Sequence, residues 1–281
     1  MSSITWSRIL NSTLQPLGRK VIGPLEYTCE VLLMIYLSMR ASFYDQAVGL
    51  RSIFSVVSAQ IYFTGWQALP LISILALASG SIVVMQAASG LSLLAGGNMV
   101  GNLMVMIVVR EIAPLLTALI VIARSGTAVA SEIGNMRVNR EIEALEVMGI
   151  NPLSYIVFPR LVGGIVSVVC LAFYFVLIAT FGGLMVTKFS SDVSMSFYFE
   201  SLAISFSRWD LGLFVLKNVF SGAIIFMISC YQGLLVKQSP HEVPQVTTKA
   251  VVNSVIYVTM FNLAVTTLFY LSQLMSMGIS L

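Results

Sequence analysis

The feature that most constrains this chain is the length of its charge-free runs. No Asp, Glu, Lys or Arg occurs within residues 52–109, 161–187, 218–236 or 250–281. A helix needs about 20 mostly apolar residues to cross the hydrocarbon core of a bilayer. Because only 10% of the residues are charged, against about 25% in a soluble domain, we predict an all-α integral membrane protein.

The apolar runs and the polar segments between them predict five transmembrane helices. These spans lie at about residues 69–91, 103–123, 161–186, 213–236 and 251–274. A Gly- and Asn-rich turn at residues 95–102 joins the first two, and a polar loop at 188–210 precedes the fourth. We therefore divide the chain into an N-terminal region, residues 1–65, and a five-span domain, residues 66–281.

The N-terminal region contains one strongly apolar stretch, "VLLMIYL" at residues 31–37. Glu26 and Glu30 precede it and Arg40 follows it, so the stretch is short for a span. An amphipathic helix lying in the membrane interface is the favoured interpretation. A tilted or partial span is the alternative.

The distribution of Lys and Arg predicts the orientation of the chain. These residues concentrate in residues 1–65, 124–160 and 237–249. Because cytoplasmic loops carry an excess of positive charge, we expect these three segments, and the N-terminus, on the cytoplasmic side. The C-terminus is then expected on the periplasmic side.

The segment "MRVNREIEALEVMGINP", residues 136–152, stands out because it is charged and compact. Its spacing predicts a helix over about residues 136–148, with Gly149 as the C-cap and Pro152 preventing continuation. Arg137 and Glu141, four residues apart, and Arg140 and Glu143, three apart, are spaced to pair across a turn of one helix. The helix is either a solvated loop helix or a docking helix for a soluble partner.

Three charged residues fall inside predicted spans: Arg110 and Glu111 in the second and Lys217 near the outer end of the fourth. An isolated charge at the bilayer centre costs at least about 2.5–3.5 kcal/mol. Pro114 removes the helical bond to the carbonyl of Arg110 and can kink the helix. In a structural interpretation Lys217 reaches the headgroups, and Glu111 pairs with Arg110 or Lys217 of a neighbouring helix. In a functional one these charges line a lipid cavity or hold a gate.

Two weaker signals lie in the apolar runs. Gln86 interrupts the first span, where its amide could bond to another helix or meet a lipid headgroup. Gly126, Ala130 and Gly134 repeat at four-residue spacing, which is typical of close helix packing.

Several function classes lack their sequence signatures. There is no G-x-x-x-x-G-K-[ST] loop to hold ATP phosphates, so ATP-driven work requires a partner chain. The single histidine, His241, has no other potential metal ligands near it in the sequence. The G-x-S-x-G motif of serine hydrolases does not occur. The basic residues form no stripe of the kind that binds nucleic acid. We expect neither an enzyme nor a cofactor or metal in this chain.

Three stretches resemble one family: residues 110–134, "REIAPLLTALIVIARSGTAVASEIG"; residues 131–160, "SEIGNMRVNREIEALEVMGINPLSYIVFPR"; and residues 246–254, "VTTKAVVNS". They are similar to MlaE-type permeases, the membrane subunits of bacterial lipid transporters that work with MCE-domain proteins. The resemblance covers about residues 60–275.

The resemblance implies an ABC-type permease that moves phospholipid between the inner membrane and an MCE-domain protein. It implies a homodimer with two ABC ATPase subunits, which hold ATP and Mg, and a hexameric MCE-domain protein on the periplasmic side. A small STAS-domain regulator on the ATPase is a further implied partner. The expected location is the bacterial inner membrane, and the lack of a transit-peptide-like start favours it.

In the resembling family, the segment at 136–148 is the coupling helix docked on the ATPase. The residues expected to contact the ATPase are Arg137, Arg140, Glu141, Glu143, Leu145, Glu146, Met148 and Gly149. The residues expected in the lipid pathway or gate are Gln86, Arg110, Glu111, Lys217 and Asn262.

This chain departs from the family pattern at a few of these positions. Glu141 and Glu143 stand where Gln and Asp are usual, and Asn262 stands where an Asp is common in the fifth span. Two function classes remain as alternatives to the lipid permease: a gradient-driven secondary transporter using Glu111, and a membrane scaffold that transports nothing.

Overall fold

The computed structural model describes residues 26–42, 50–91, 99–190, 195–237 and 239–276. Within these residues the chain forms helices and no strand. The prediction of an all-α membrane protein is therefore confirmed. Part of the predicted Gly- and Asn-rich turn, residues 95–98, lies outside the described residues.

The helices follow one another with short connections. The first part of the chain contains α1 (26–42), α2 (Leu50–Thr64), α3 (Leu69–Leu91), α4 (Met99–Leu103), α5 (Ala113–Val121) and α6 (Thr127–Val138). The second part contains α7 (Glu141–Val147), α8 (Phe158–Ser190), α9 (Met195–Ser205), α10 (Arg208–Leu234) and α11 (Glu242–Ser276). A 3₁₀ turn, Trp66–Ala68, joins α2 to α3, and wider π-helical turns occur at Met104–Ile112, Ile122–Gly126 and Leu153–Val157.

Among the residues that the structure describes, five helical stretches are long and apolar enough to cross a membrane, which is the predicted number. They are span 1 (Ile53–Ala87), span 2 (Gly101–Val138), span 3 (Leu153–Lys188), span 4 (Arg208–Leu234) and span 5 (Glu242–Met275). Each of the first three runs through helical segments of more than one type, because the π and 3₁₀ turns change the winding without ending the helix.

The helical stretches extend past several predicted bounds. Span 1 begins at Ile53 rather than near residue 69, because Gly65 keeps right-handed helical geometry (φ −77°, ψ −71°). The predicted division at residues 65 and 66 therefore falls inside a continuous helix. Span 2 continues to Val138 rather than ending near residue 123.

The segment predicted as a polar loop, residues 188–210, contains the helix α9. Tyr198 of α9 is fully buried, and its hydroxyl donates to the carbonyl of Thr180, 3.2 Å away. Gly183 leaves room for this tyrosine, because a Cβ there would stand 2.6 Å from the Tyr198 hydroxyl oxygen. The sequence does not predict α9, because the helix is short and the charged residues around it are typical of a loop.

α1 lies across the ends of spans 3 and 4. Its buried residues, Val31, Met34 and Ser38, lie on one side, and the Ser38 hydroxyl donates to the carbonyl of Leu153, 3.3 Å away. Gln232 of α10 donates to the hydroxyl of Tyr27 at 3.1 Å. The rest of α1 is largely exposed and apolar, including Leu32, Leu33 and Tyr36. Apolar side chains thus lie on both the buried and the exposed sides of α1, so the interfacial helix and the partial span both stay predictions.

Spans 1 and 3 approach each other through glycines. A Cβ on Gly80 would stand 1.9 Å from the carbonyl oxygen of Ala179, and one on Gly182 would stand 2.6 Å from that of Leu77. Small residues are the usual means by which membrane helices bring their backbones together.

The small-residue repeat of α6 also lies at a helix contact. A Cβ on Gly126 would lie 3.1 Å from the hydroxyl oxygen of Ser229 in α10. One on Gly233 of α10 would lie 2.9 Å from the carbonyl oxygen of Ala130. The interpretation of this repeat as close helix packing is confirmed.

We predict that Gly80→Ala destabilises the protein, because the methyl group would collide with backbone that cannot move aside. Overpacking of this kind costs about 1–3 kcal/mol or more. The measurement is the thermal unfolding midpoint of the purified protein in detergent. Gly212→Ala in α10 is the matched control, because nothing lies within 4 Å of a Cβ there. Equal midpoints for the two variants would show that spans 1 and 3 do not pack through Gly80.

Candidate functional site

Five residues from three spans meet at one level of the molecule and form what we call the polar cluster. They are Arg110 and Glu111 of span 2, Asp210 and Lys217 of span 4, and Thr266 of span 5. The sequence predicts three of them, Arg110, Glu111 and Lys217, as functional residues, and the structure brings these three together. The cluster lies near the start of span 4, and Arg110 and Glu111 lie in the first third of span 2.

Lys217 is the centre of the polar cluster. Its side chain is fully buried, and Nζ lies 3.1 Å and 3.2 Å from the carboxylate oxygens of Glu111. Nζ also donates to the carbonyl of Arg110 and to the Thr266 hydroxyl oxygen, each at 2.7 Å. The three donors of the ammonium group therefore all have acceptors. The structural interpretation is thus confirmed for the pairing of Glu111 with Lys217. It is wrong in extending Lys217 to the headgroups, because the helices on either side enclose its ammonium group.

The bond to the Arg110 carbonyl follows from Pro114. A proline has no N–H, so it leaves without a donor the carbonyl four residues before it, which is that of Arg110. Lys217 supplies the missing donor from span 4. The local winding here is π-helical, over Met104–Ile112, a form that recurs at functional sites. Pro114 thus makes the Arg110 carbonyl of span 2 available to the ammonium group of Lys217 in span 4.

Thr266 closes the cluster from span 5. Its hydroxyl donates toward the Glu111 carboxylate, at 3.0 Å and 3.1 Å, while accepting from Lys217. Each polar group in this ring bonds to two others. The charges of Lys217 and Glu111 therefore hold spans 2, 4 and 5 in one relative position.

Asp210 completes a second ion pair that the sequence analysis missed. Arg110 Nε lies 2.8 Å from Asp210 Oδ1, at an angle outside that of a hydrogen bond. Asp210 Oδ2 accepts from the backbone N–H of Ser207, completing a capping box at the start of α10. The S-x-x-D spacing signals that helix start, but it gives no sign of a partner 100 residues earlier in the chain.

A second polar layer lies one helical turn from Lys217. Asn262 of span 5 donates to the Ser221 hydroxyl of span 4 at 3.2 Å and to the carbonyl of Val258 at 2.9 Å. Ser221 follows Lys217 by four residues, and Asn262 precedes Thr266 by four. Asn262 is thus placed beside the polar cluster, where it supplies a hydrogen-bond donor and no charge.

The polar cluster opens into a cavity of about 500 Å³ between spans 2, 4 and 5. Arg110 and Asp210 line it together with Phe269, whose ring centroid lies 5.2 Å from the Arg110 guanidinium carbon. The Glu111 side chain is 40% exposed, whereas that of Lys217 is buried. Arg110 can therefore meet a ligand in this cavity, while the accessible Glu111 carboxylate is held by Lys217.

Gln86 lies apart from these groups. It is on α3 of span 1 with an exposed side chain, and the contacts of the polar cluster come from spans 2, 4 and 5. Among the predicted pathway residues, the structure thus gathers Arg110, Glu111, Lys217 and Asn262 but not Gln86.

The predicted continuous helix at residues 136–148 is wrong. α6 ends at Val138 and α7 begins at Glu141, because Arg140 takes a left-handed conformation (φ 58°, ψ 22°). This conformation is uncommon outside glycine, and periodicity does not reveal it. Arg137 and Glu141 therefore lie on different helices, and Arg140 lies at the break, so the spacing of one helix does not predict the Arg137–Glu141 and Arg140–Glu143 pairs.

α7 is nevertheless a well-defined helix with a buried anchor. Ile142 is buried, and at the other end Gly149 has φ 76°. The N–H of Ile150 bonds to the carbonyl of Leu145 and that of Gly149 to Glu146, both at 3.0 Å. These bonds form a Schellman motif, so the predicted role of Gly149 as C-cap is confirmed. Beside it, Val147 and Met148 project outward, 89% and 64% exposed.

The other predicted contact residues of this segment lie on its accessible side. Arg140, Glu141 and Glu146 are exposed, while Arg137, Glu143 and Leu145 are half-buried. Asn139 donates to the Glu141 carboxylate at 3.2 Å across the break. The segment therefore presents both charge and apolar surface at the far end of span 2 from the polar cluster.

Comparison with known proteins gives a consistent result. The family model for the permease MlaE matches residues 57–268. A probable ABC transporter permease protein of Rickettsia prowazekii is 30% identical over 242 residues, 81% of this chain and 93% of the relative. A second, from Rickettsia conorii, is 32% identical over 216 residues, 77% of this chain and 83% of the relative.

A further relative carries a more specific name. The intermembrane phospholipid transport system permease protein MlaE of Haemophilus influenzae is 27% identical over 206 residues, 73% of this chain and 79% of the relative. The matched region, residues 57–268, includes all five residues of the polar cluster and the whole of α7. The chain belongs to the MlaE permease family.

Proposed function

We propose that this chain is the permease subunit of an ABC transporter that moves phospholipid between the bacterial inner membrane and an MCE-domain protein. The names of its Rickettsia relatives support the ABC assignment, and that of its Haemophilus relative supports the phospholipid substrate. ATP hydrolysis belongs to a partner subunit, because this sequence has no phosphate-binding loop.

The observation that carries the proposal is the continuity of span 2. One helical stretch, Gly101–Val138, joins the polar cluster at one end to α7 at the other. The 27 residues from Glu111 to Val138 rise by about 40 Å. A helix held at its far end by two ion pairs can pass a displacement of α7 to the cavity beside Arg110.

α7 is the proposed docking element for the ATPase. The exposed pair Val147 and Met148 supplies an apolar centre, and Arg140, Glu141 and Glu146 supply a charged rim, which is the usual anatomy of a protein interface. The positive-inside rule places this segment and the N-terminus in the cytoplasm and the C-terminus in the periplasm. Two ATPase subunits would dock, one on each permease copy.

Span 5 is the proposed contact between two permease copies. Only 17% of its most apolar window is buried within one chain, against 56% in span 2. The outward residues Val252, Ile256, Met260 and Leu263 form an apolar stripe. In a homodimer, spans 1 and 5 of both copies would line an outward-facing lipid cavity beneath a hexameric MCE-domain protein. A STAS-domain protein on the ATPase remains part of this proposal.

We predict that Met148→Asp releases the ATPase while the permease still folds, because its exposed side chain would be buried only in the complex. We expect at least about a tenfold loss of affinity, equivalent to about 1.4 kcal/mol. The measurement is the amount of ATPase that co-purifies with the tagged permease. Ile204→Asp on α9, 67% exposed and outside the five spans, is the matched control. Docking on α7 would be refuted if Met148→Asp, and the variant with Arg140 and Glu143 reversed in charge, both retained the wild-type amount of co-purified ATPase.

We predict that Glu111→Gln destabilises the protein and that adding Lys217→Met restores much of the loss. The single change leaves a buried ammonium without its counter-charge, at a cost of about 3–5 kcal/mol, whereas the double change removes the charge itself. Thermal unfolding in detergent gives the stability.

ATP-driven lipid transfer by the reconstituted complex separates the proposed function from its alternatives. If Glu111 and Lys217 move with the transport cycle, the double variant regains stability but not transfer. Transfer that returns with stability would mean that the polar cluster only holds the helices together. Transfer driven by an ion gradient without the ATPase would instead support a secondary transporter using Glu111.

A further inference from the structure

A third ion pair lies at the opposite end of span 2 from the polar cluster. Arg160 of α8 places Nη2 2.8 Å from Oε1 of Glu132 in α6. The two partners differ sharply in exposure, because Arg160 is 7% exposed whereas the Glu132 side chain is 61% exposed. The cation is thus inside the protein and its carboxylate partner is open to the surroundings.

The Arg160 guanidinium is not saturated by Glu132. Its Nη1 is buried and has no hydrogen-bond partner among the residues that the structure describes. A guanidinium group carries five N–H donors, and a buried donor without an acceptor is strongly unfavourable. Arg160 Nη1 can therefore donate to an acceptor on a bound ligand.

A cavity of about 250 Å³ lies beside this pair, between α2, α6 and α8. Its polar wall is formed by Arg160, Glu132 and Gln60, and its apolar wall includes Val56, Phe63 and Val129. A ligand that fits this lining has a polar head and an apolar remainder. Membrane lipids have that character.

The position of the pair along span 2 matches the depth of lipid headgroups. The 21 residues from Glu111 to Glu132 rise by about 30 Å, which is the thickness of the hydrocarbon core of a bilayer. The polar cluster and the Arg160–Glu132 pair would therefore lie at opposite membrane surfaces. The second site is separate from the cavity beside Arg110.

The charges indicate which headgroup fits. A purely anionic headgroup would be attracted by Arg160 but repelled by the Glu132 carboxylate beside it. A zwitterionic headgroup satisfies both groups, because its phosphate can accept from Arg160 Nη1 while its ammonium meets the open side of Glu132. Arginine is well suited to the phosphate half, because its planar N–H groups match phosphate oxygens.

We propose that Arg160 and Glu132 form a binding site for the headgroup of a zwitterionic phospholipid, with the phosphate on Arg160 and the amine on Glu132. The apolar wall from α2 and α6 would take the start of the acyl chains. The site requires only that the chain lies in a membrane, so it does not depend on the proposed transport function.

The test uses the full-length protein reconstituted in equal parts of phosphatidylethanolamine and phosphatidylglycerol and extracted in mild detergent. Native mass spectrometry then counts the lipids retained on wild type and on Glu132→Gln. Glu132 is exposed, so this variant should fold. We expect wild type to retain phosphatidylethanolamine in preference, and the variant to lower the ratio of the two lipids about fivefold.

Two further arms make the result specific. Glu200→Gln, an exposed carboxylate on α9, is the matched control and should keep the wild-type ratio. Arg160→Lys should reduce retention of both lipids, because lysine lacks the planar fork. Equal retention of the two lipids by wild type, or an unchanged ratio in Glu132→Gln, would overturn the proposal. Displacement of the lipid by inorganic phosphate would also overturn it, by showing a simple anion site.

Discussion

The burial of one ammonium group determines how spans 2, 4 and 5 sit together. Lys217 cannot remain inside the protein without its three acceptors, and these come from Glu111, Thr266 and the carbonyl that Pro114 leaves free. Removing the Glu111 carboxylate would leave a buried charge without its partner and destabilise the folded protein. The spans therefore share one position in which all the donors are satisfied, and a movement of span 2 must break or exchange these bonds.

Span 2 is held by charge at both ends. Arg110 and Glu111 bind span 4 near its start, and Glu132 binds Arg160 of span 3 some 30 Å away along the helix. Between them the helix contacts α10 through its small residues, which allow close packing without a polar bond. A force on α7 would thus act on span 2, which separate ion pairs hold near its two ends.

The sequence predicts the number of spans well and their ends poorly, for a physical reason. Absence of charge over about 20 residues is a property of composition, so five spans could be counted. The extension of span 2 to Val138 depends on distant partners, such as Gln67 for Arg124 and Arg160 for Glu132. The backbone of Arg140 turns by a dihedral angle that no periodicity shows. The role of Asp210 was not predicted, because an acidic residue in the first turn of a helix does not indicate a partner as distant in sequence as Arg110.

We propose that ATP binding to the partner ATPase moves span 2 and rearranges the polar cluster. Pulsed electron paramagnetic resonance can test it on the assembled transporter, with the native cysteines replaced and a spin label at Met106, an exposed residue of span 2 four positions before Arg110. In the proposed homodimer we expect ATP to change the distance between the labels of the two copies in wild type. We expect no such change when Glu111→Gln and Lys217→Met are combined. An equal change in both proteins would contradict it.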